Sequence, residues 1–333
     1  MTLSEGSITG TTGVLIGSSY SVTNATGDTT VSAILGGTGS LTKTGAGTLT
    51  LSGTNTYSGA TTISAGTVVI TNNSGLGSTA AGTSVASGAV LDLNNVTVGA
   101  ENLTLAGGTL KDVTSSLAGD ITLTADSTFT ATNAGDTLTL SGVISGTGYG
   151  ITKSGAGVLV LSGANTYTGT TTVSAGTLTV TGSLSDSTAM TVDSGTTYNV
   201  NTSDTVGSIA GSGAITTSTS GAKTLTVGND GTSTTFSGVI SDGSGQLVVT
   251  KVGAGTLTLS GANTYTGTTT VSAGALTVTG SLSDSTAVTV DSGATYNVNA
   301  SDTVGSIAGA GTITTTASSG AITLTAGNNG TST

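Results

Sequence analysis

The sequence predicts an all-β chain wound as a right-handed parallel β-helix, a β-solenoid, and three observations carry that prediction. The 333 residues are rich in Thr, Val and Ile, with 55 Gly and no Pro. Short runs alternate polar and apolar residues and are broken by Gly, Ser and Asn. A long block of sequence also returns almost unchanged further along the chain.

The composition bounds the class first. Charged residues make up 6% of the chain, where about 25% is usual. Low charge and few aromatics suit disorder, but disordered chains are poor in β-branched residues and rich in Pro. Abundant Thr, Val and Ile with Gly, Ser and Asn breakers favour strands and turns instead. Few runs of Ala, Leu, Glu or Lys exist to propagate a helix. The five cations are all lysines, and the formal charge is −11. Nucleic acid is therefore not an expected partner, because phosphate contacts need Lys and Arg clusters. No apolar run approaches the roughly 18 residues that a spanning helix needs. Met1-Thr2-Leu3-Ser4-Glu5 has neither a basic nor an apolar stretch, so no signal peptide is expected.

Internal repetition organises the rest. Residues 155–210 return as 253–308, a shift of 98 residues, with no gap. Six positions differ: Val158/Thr256, Val160/Thr258, Thr177/Ala275, Met190/Val288, Thr196/Ala294 and Thr202/Ala300. A more divergent copy begins at Gly45, 110 residues before Gly155. The most similar stretches are 41–68, 151–178 and 249–276. Within the first, Thr48-Leu49-Thr50-Leu51 alternates as a half-buried strand does. The turn Ser52-Gly53 follows, and a second strand around Thr62-Ile63 ends at Ala65-Gly66. A sandwich or barrel could share this rhythm. Near-identity on a long period favours one unit stacked on itself, and modest inward residues suit a narrow core. With roughly 20 residues per coil, the 98-residue repeat corresponds to about five coils. The whole chain would make about 16 coils, reaching near 80 Å at roughly 4.8 Å per coil. Residues 1–333 are expected to form a single continuous β-solenoid. Gly228–Thr234 runs on into Thr235-Phe236-Ser237, whereas the corresponding Gly327–Thr333 stops in mid-repeat. A fragment of a longer protein is the expectation.

The stretches K-x-G-A-G-x-L-x-L-S-G-x-N-T-Y-x-G-x-T-T at 43–62, 153–172 and 251–270 carry a family resemblance. They resemble the autotransporter-associated β-strand repeat, also called the passenger-associated transport repeat, of type V secretion. Ser-Gly-Val-Ile-Ser at 141–145 and 237–241 fits the same pattern. The resemblance implies a right-handed parallel β-helix passenger, exported through its own C-terminal β-barrel to the exterior of a Gram-negative outer membrane. It implies a cell-surface or secreted, non-enzymatic stalk, with an adhesin as its setting. Host-cell, bacterial or matrix surface ligands are the partners that follow. The alternative is a self-assembling structural filament or biofilm matrix protein, with end-to-end self-association through unpaired edges.

No residue is assigned a catalytic, cofactor-binding or metal-binding role, and no cofactor is expected. Without His or Arg, nucleophilic triads and most general-base schemes fall away. A carboxylate pair could still cleave glycosides. Asp186, Asp193 and Asp204, with copies Asp284, Asp291 and Asp302, form the repeated acidic set; turn chemistry is the preferred reading, ahead of a cation site and catalysis. Gly228-Asn229-Asp230-Gly231 faintly resembles a calcium-binding nonapeptide, but Asn328-Asn329 has lost the carboxylate. Lys43, Lys153 and Lys251, each before a Gly-Ala-Gly, could form a ligand-binding row; snorkelling, solvated cations that discourage edge pairing are preferred. Asn55, Asn165 and Asn263 are expected to satisfy turn backbone groups. Tyr57, Tyr167 and Tyr265 are expected to cover the core at a corner rather than stack on sugars. Runs such as Thr48-Leu49-Thr50 and Thr177-Leu178-Thr179 raise ice binding. Because they recur at 98 residues rather than at one coil, a uniform array is not expected.

Overall fold

A computed structural model describes residues 1–10, 13–318 and 320–327. Among these residues every regular element is a strand, and the strands between neighbouring coils pair in parallel. The chain forms a parallel β-solenoid, organised as two compact units, Met1–Tyr167 and Thr168–Thr333.

The alternation in sequence becomes alternation in burial. In Thr48–Leu51 the leucines are buried and the threonines half-exposed. Consecutive residues of a strand point to opposite faces, so one set meets the interior and the other meets solvent. Parallel pairing then stacks each inward residue on its counterpart one turn away.

The first unit has three sides. Side one is an eight-stranded ladder running from Thr2–Leu3 through Ser40–Lys43 and Thr61–Ile63 to Ile144–Ser145. Side two holds Thr48–Leu51, Thr67–Ile70, Val90–Asn94, Thr109–Val113, Ser127–Ala131 and Ile151–Ser154. Side three holds Thr97–Val98, Ser115–Leu117, Thr137–Leu140 and Val158–Leu161. Inward residues on side two form one column, Leu49, Val68, Leu91, Leu110 and Phe129, all fully buried. Each such side chain contributes about 1.5–3 kcal/mol by leaving water.

The second unit also has three sides. The Asp204 side is a six-stranded ladder: Asp204–Val206, Lys223–Val227, Leu247–Lys251, Thr269–Val271, Ala287–Val290 and Ser306–Gly309. The Met190 side includes Ala189–Val192, Ser208–Gly211, Thr234–Phe236, Thr256–Leu259, Ala275–Val278 and Thr295–Val298. The Tyr198 side begins with Thr177–Val180, Thr197–Val200, Ala214–Thr216 and Val239–Ile240.

The repeats do not return to the same side. Ala189–Val192 lies on the Met190 side, whereas its near-copy Ala287–Val290 lies on the Asp204 side. Thr197–Val200 lies on the Tyr198 side, and its copy Thr295–Val298 on the Met190 side. From Ala189 the chain passes Ser208, Thr234, Thr256 and Ala275 on the Met190 side, four turns, and then two further sides to Ala287. The repeat is thus four turns and two sides, one side short of a whole number of coils and close to the five expected. In the first unit Ser40–Lys43 lies on side one, whereas the corresponding Ile151–Ser154 lies on side two. Turn length is the physical reason. Pairing partners lie 19 residues apart at Thr270↔Thr289 and 24 apart at Thr226↔Thr250, because corner segments vary and some replace a strand.

Candidate functional site

The three sequence motifs converge on one local construction, built from a lysine, a glycine-rich turn and an asparagine corner. The lysine is set by strand alternation. Lys251 pairs with Val227 on one side and Val271 on the other. Lys43 stands between Val22 and Ile63, and Lys153 pairs with Phe129. All three occupy inward core positions, with relative exposures of 0% (Lys43), 0% (Lys153) and 1% (Lys251). This corrects the expectation of solvated, snorkelling cations. The aliphatic stem packs in the core column, and the ammonium is spent on backbone carbonyls.

Those carbonyls belong to the Gly-Ala-Gly turn and its neighbours. Lys251 Nζ donates to the carbonyls of Val252 (2.6 Å), Gly253 (2.9 Å) and Ala273 (3.2 Å). Lys153 Nζ donates to Ser154 (2.8 Å) and Gly155 (2.7 Å). Lys43 Nζ donates to Gly45 and, at 3.4 Å, to Ala65. Burial disfavours the charged ammonium. It lowers the pKa of Lys43, brings Lys153 to about 8, and lowers that of Lys251, where the Asp230 carboxylate opposes the effect. Such lysines are inaccessible to a ligand, and the ligand-row reading loses its basis.

The asparagine corner links neighbouring turns. Asn55 Oδ1 accepts the Leu35 amide (2.9 Å), and its Nδ2 donates to the Gly75 carbonyl (2.7 Å). Asn165 Oδ1 accepts the Ile144 amide (3.0 Å), and Asn263 Oδ1 accepts that of Ile240 (3.0 Å). Two residues on, Tyr57, Tyr167 and Tyr265 are fully buried. The Tyr57 hydroxyl meets Thr61 Oγ1 at 2.7 Å, and that of Tyr265 meets Thr269 Oγ1 at 2.6 Å. Burial raises the pKa of both phenols. Neither ring offers a face for stacking sugars.

The acidic set divides. Asp204 is buried, and both its carboxylate oxygens accept the Leu184 amide, at 3.0 and 3.3 Å. Asp302 Oδ2 accepts the Leu282 amide (2.9 Å) and Oδ1 its neighbour Thr303 (3.0 Å). Asp204 and Asp302 therefore play the part that Asn55 and Asn263 play in the motif. Burial, with the nearby Asp186 carboxylate, pushes Asp204 up to about 6, against the Leu184 and Thr205 amides that hold it down. Exposed Asp186 shares a shallow groove with Asp204, and Asp284 shares one with Asp302. Asp193 and Asp291 are exposed in separate turns, where their carbonyls accept the amides of Thr196 (3.1 Å) and Ala294 (3.0 Å). Gly228–Gly231 closes as a turn, with Asp230 Oδ1 accepting the Thr232 amide at 2.8 Å; Asn328-Asn329 lie outside the described residues. Among the described residues, no group of three or more His, Cys, Asp or Glu side chains could hold a metal ion.

Sequence reasoning missed several buried acids, Glu101 and Asp112 the most deeply buried among them. Asp112 pairs with Leu93 and Ala131, faces inward and is fully buried. Burial pushes it up to about 6; Ser115 and the Thr114 amide oppose that shift, and the Asp136 and Asp92 carboxylates add to it. The signal was present, since Thr109-Leu110-Lys111-Asp112 puts Asp112 in phase with Leu110. Its neighbour in sequence, Lys111, points outward and pairs with Asp92 at 2.7 Å.

The comparisons agree with this geometry. The passenger-associated transport repeat family matches residues 41–70, 151–180 and 249–278, the three segments that carry the lysine, the glycine turn and the asparagine corner. The chain is also similar to the adhesin BmaC autotransporter of Brucella suis biovar 1 (strain 1330), at 43% identity over 102 residues. That similarity covers 30% of this chain and 3% of the relative, so the chain spans a small part of the curated protein it matches. No solved structure matches. No helix among the described residues is long and apolar enough to cross a membrane. The chain carries three passenger-associated transport repeats on a parallel β-solenoid, the construction of an autotransporter passenger, and its place is the cell surface or the secreted medium.

Proposed function

We propose that the chain is a rigid, non-catalytic stalk within an autotransporter adhesin, carrying an adhesive surface away from the cell toward host-cell, bacterial or matrix ligands. The observation that carries this reading is the adhesin relative matched alongside the three transport repeats. Stiffness is supported by the side chains that tie one turn to the next, Asn55 to Leu35 and Gly75 in the first unit and Asn263 to Ile240 in the second. A non-catalytic role is supported by a composition without His or Arg and by acids engaged with backbone amides.

Attachment under flow tests the adhesive part. Cells displaying the parent protein should be retained on host-cell or matrix-coated glass, and cells displaying it without residues 1–333 should be retained several-fold less. Equal retention of the two would remove this segment from adhesion. Stiffness is checked by atomic force imaging, where strongly curved or collapsed contours would count against a stalk. Incubation with a panel of polysaccharides should release no new reducing ends. Release that disappears in Asp204→Asn with Asp302→Asn would make the chain an enzyme.

A further inference from the structure

Five threonines from different stretches of the second unit fall into one outward column. Thr205 pairs with Thr226, Thr226 with Thr250, Thr250 with Thr270, and Thr270 with Thr289. Each lies between two buried inward neighbours in its strand and is itself half-exposed. Parallel pairing sets the rungs about 4.8 Å apart. Two residues earlier in their strands, Thr224 pairs with Val248, and Ala287 with Ser306. These form a second row about 6.6 Å from the first. The first column is continuous over its five rungs although the threonine runs recur at 98 residues, whereas the second row mixes Thr224, Val248, Ala287 and Ser306 and is not a uniform threonine array. The change of side described above is the reason, because the column draws each rung from a different part of the repeat.

This face is not alone in the molecule, because Thr42, Thr62, Ser84, Thr104 and Thr122 form a comparable outward column on side one of the first unit. None of the five threonine hydroxyls from Thr205 to Thr289 makes a hydrogen bond within the protein, whereas Thr130 Oγ1 meets Ser154 Oγ at 2.7 Å and Thr277 Oγ1 accepts from Asn297 at 3.1 Å. No outward position of the two rows is charged. Lys251 of the same ladder is buried, and Lys223 Nζ is turned to the Ser220 carbonyl (2.7 Å). The nearest carboxylate, Asp204 beside Thr205, faces inward and is buried, and the exposed ones stand at the margins. Asp186 shares a groove with Thr205 and Thr226, and Asp291 follows the strand Ala287–Val290.

A face of this kind has little to offer most ligands. It lacks cations for an anion, and the tyrosines that could stack on a sugar, Tyr198, Tyr265 and Tyr296, are fully buried. What remains is a repeating set of one methyl and one free hydroxyl per rung. β-Branching holds each in few rotamers, so little freedom is lost on contact. The complementary partner is uncharged, periodic and dense in hydrogen-bonding groups.

We propose that the Thr205–Thr289 face binds ice, its hydroxyls joining a lattice of ordered water and its methyls filling the gaps between water sites. Ice binding goes beyond the adhesin reading and does not depend on it.

Ice-affinity partition of the full chain is the test, followed by recrystallisation of fine-grained ice. The wild-type chain should enrich in growing ice and restrain recrystallisation. Thr250→Lys with Thr270→Lys places two cations mid-column and should lower partition tenfold or more, with the circular dichroism spectrum unchanged. Val160→Lys, outward on side three of the first unit and in neither threonine column, should partition as the wild type does. Should the lysine pair fail to fold, Thr250→Ser with Thr270→Ser removes only the two methyls and should still lower partition. Exclusion of the wild-type chain from ice would overturn the proposal, as would undiminished adsorption of either double variant. Retention on insoluble β-glucan, or pairing of two chains, without adsorption to ice would assign the face to a glycan or to a second copy instead.

Discussion

Asn263 Oδ1 accepts the amide of Ile240 at 3.0 Å, 23 residues earlier in the chain, and so fastens one turn of the solenoid to the one before it. The same side chain donates through Nδ2 to the Ser281 carbonyl at 3.0 Å, in the turn that follows. A single residue thus spans three turns at a corner where backbone pairing shrinks to the isolated bridge Ala262↔Ser281. The β-sheet ladder holds the sides together, and these asparagines do the same for the corner.

Replacing Asn263 by Ala should therefore destabilise the second unit out of proportion to the atoms removed. The buried Ile240 amide would lose its acceptor, and an unsatisfied buried donor costs about 1–3 kcal/mol. Asn55→Ala should act similarly on the first unit, through Leu35 and Gly75. Urea unfolding followed by far-ultraviolet circular dichroism measures both. Asn263→Asp keeps the acceptor but at neutral pH sets a buried carboxylate against the Gly261 and Ser281 carbonyls, so it should be less stable at pH 7 than at pH 4, where the protonated acid can still donate.

Asp204 supplies the converse experiment. It accepts the Leu184 amide as Asn55 accepts that of Leu35, but it does so as a buried carboxylate whose pKa is raised to about 6 from 3.8. Between those values the folded chain binds a proton that the unfolded chain has already lost. Stability from this group therefore falls as pH rises from about 3.8 through 6 and stays low above. Asp204→Asn should raise the melting temperature at pH 7.5 and flatten its dependence on pH across that window. Thermal melts at pH 4.5 and 7.5 decide it, and a variant that is less stable at pH 7.5 would show that the charge itself is needed.

The buried lysines should be tolerant of losing charge and intolerant of losing length. Lys251 lies in a core column between Val227 and Val271. Lys251→Ala would leave a cavity of the kind that costs about 2–5 kcal/mol when Met becomes Ala. Lys251→Met keeps the stem and forfeits the carbonyl contacts, so its loss should be less than half as large. The wild-type chain should gain stability from about pH 8 to 10.5 through Lys153, whose pKa is lowered to about 8. Over that range the unfolded chain binds the proton that the folded chain releases. Lys153→Met should remove that slope, as read by denaturant midpoints at pH 8 and 10.

Strand alternation made much of the fold legible in advance, and the same alternation held information that the chemistry of the side chains obscured. Leu247-Val248-Val249-Thr250-Lys251 puts the lysine in phase with Leu247 and Val249, yet its charge argued for the surface. The corner roles of Asn and Tyr followed from residue type and position. The side on which each copy falls could not be read from the repeat length, because that length is divided among turns of unequal size. Nor could the threonine column, since its rungs at Thr205, Thr226, Thr250, Thr270 and Thr289 are joined only by the pairing register.

The first glycine of the Gly-Ala-Gly turn gives the sharpest test of how closely neighbouring turns approach. Gly253 has φ +69°, in the left-handed region that side chains disfavour, and a Cβ there would overlap the Gly228 carbonyl oxygen. Both terms act together in Gly253→Ala. The backbone conformation costs about 1–2 kcal/mol for a residue with a Cβ, and relieving the overlap adds typically 1–3 kcal/mol. The displaced turn would also move the Gly253 carbonyl away from Lys251 Nζ. A loss of about 3 kcal/mol is expected in urea unfolding, against about 1–2 kcal/mol for Gly293→Ala, which also has positive φ but has nothing near its Cβ position. If the two substitutions cost the same, backbone strain alone would account for the effect and the close approach of the turns would not matter.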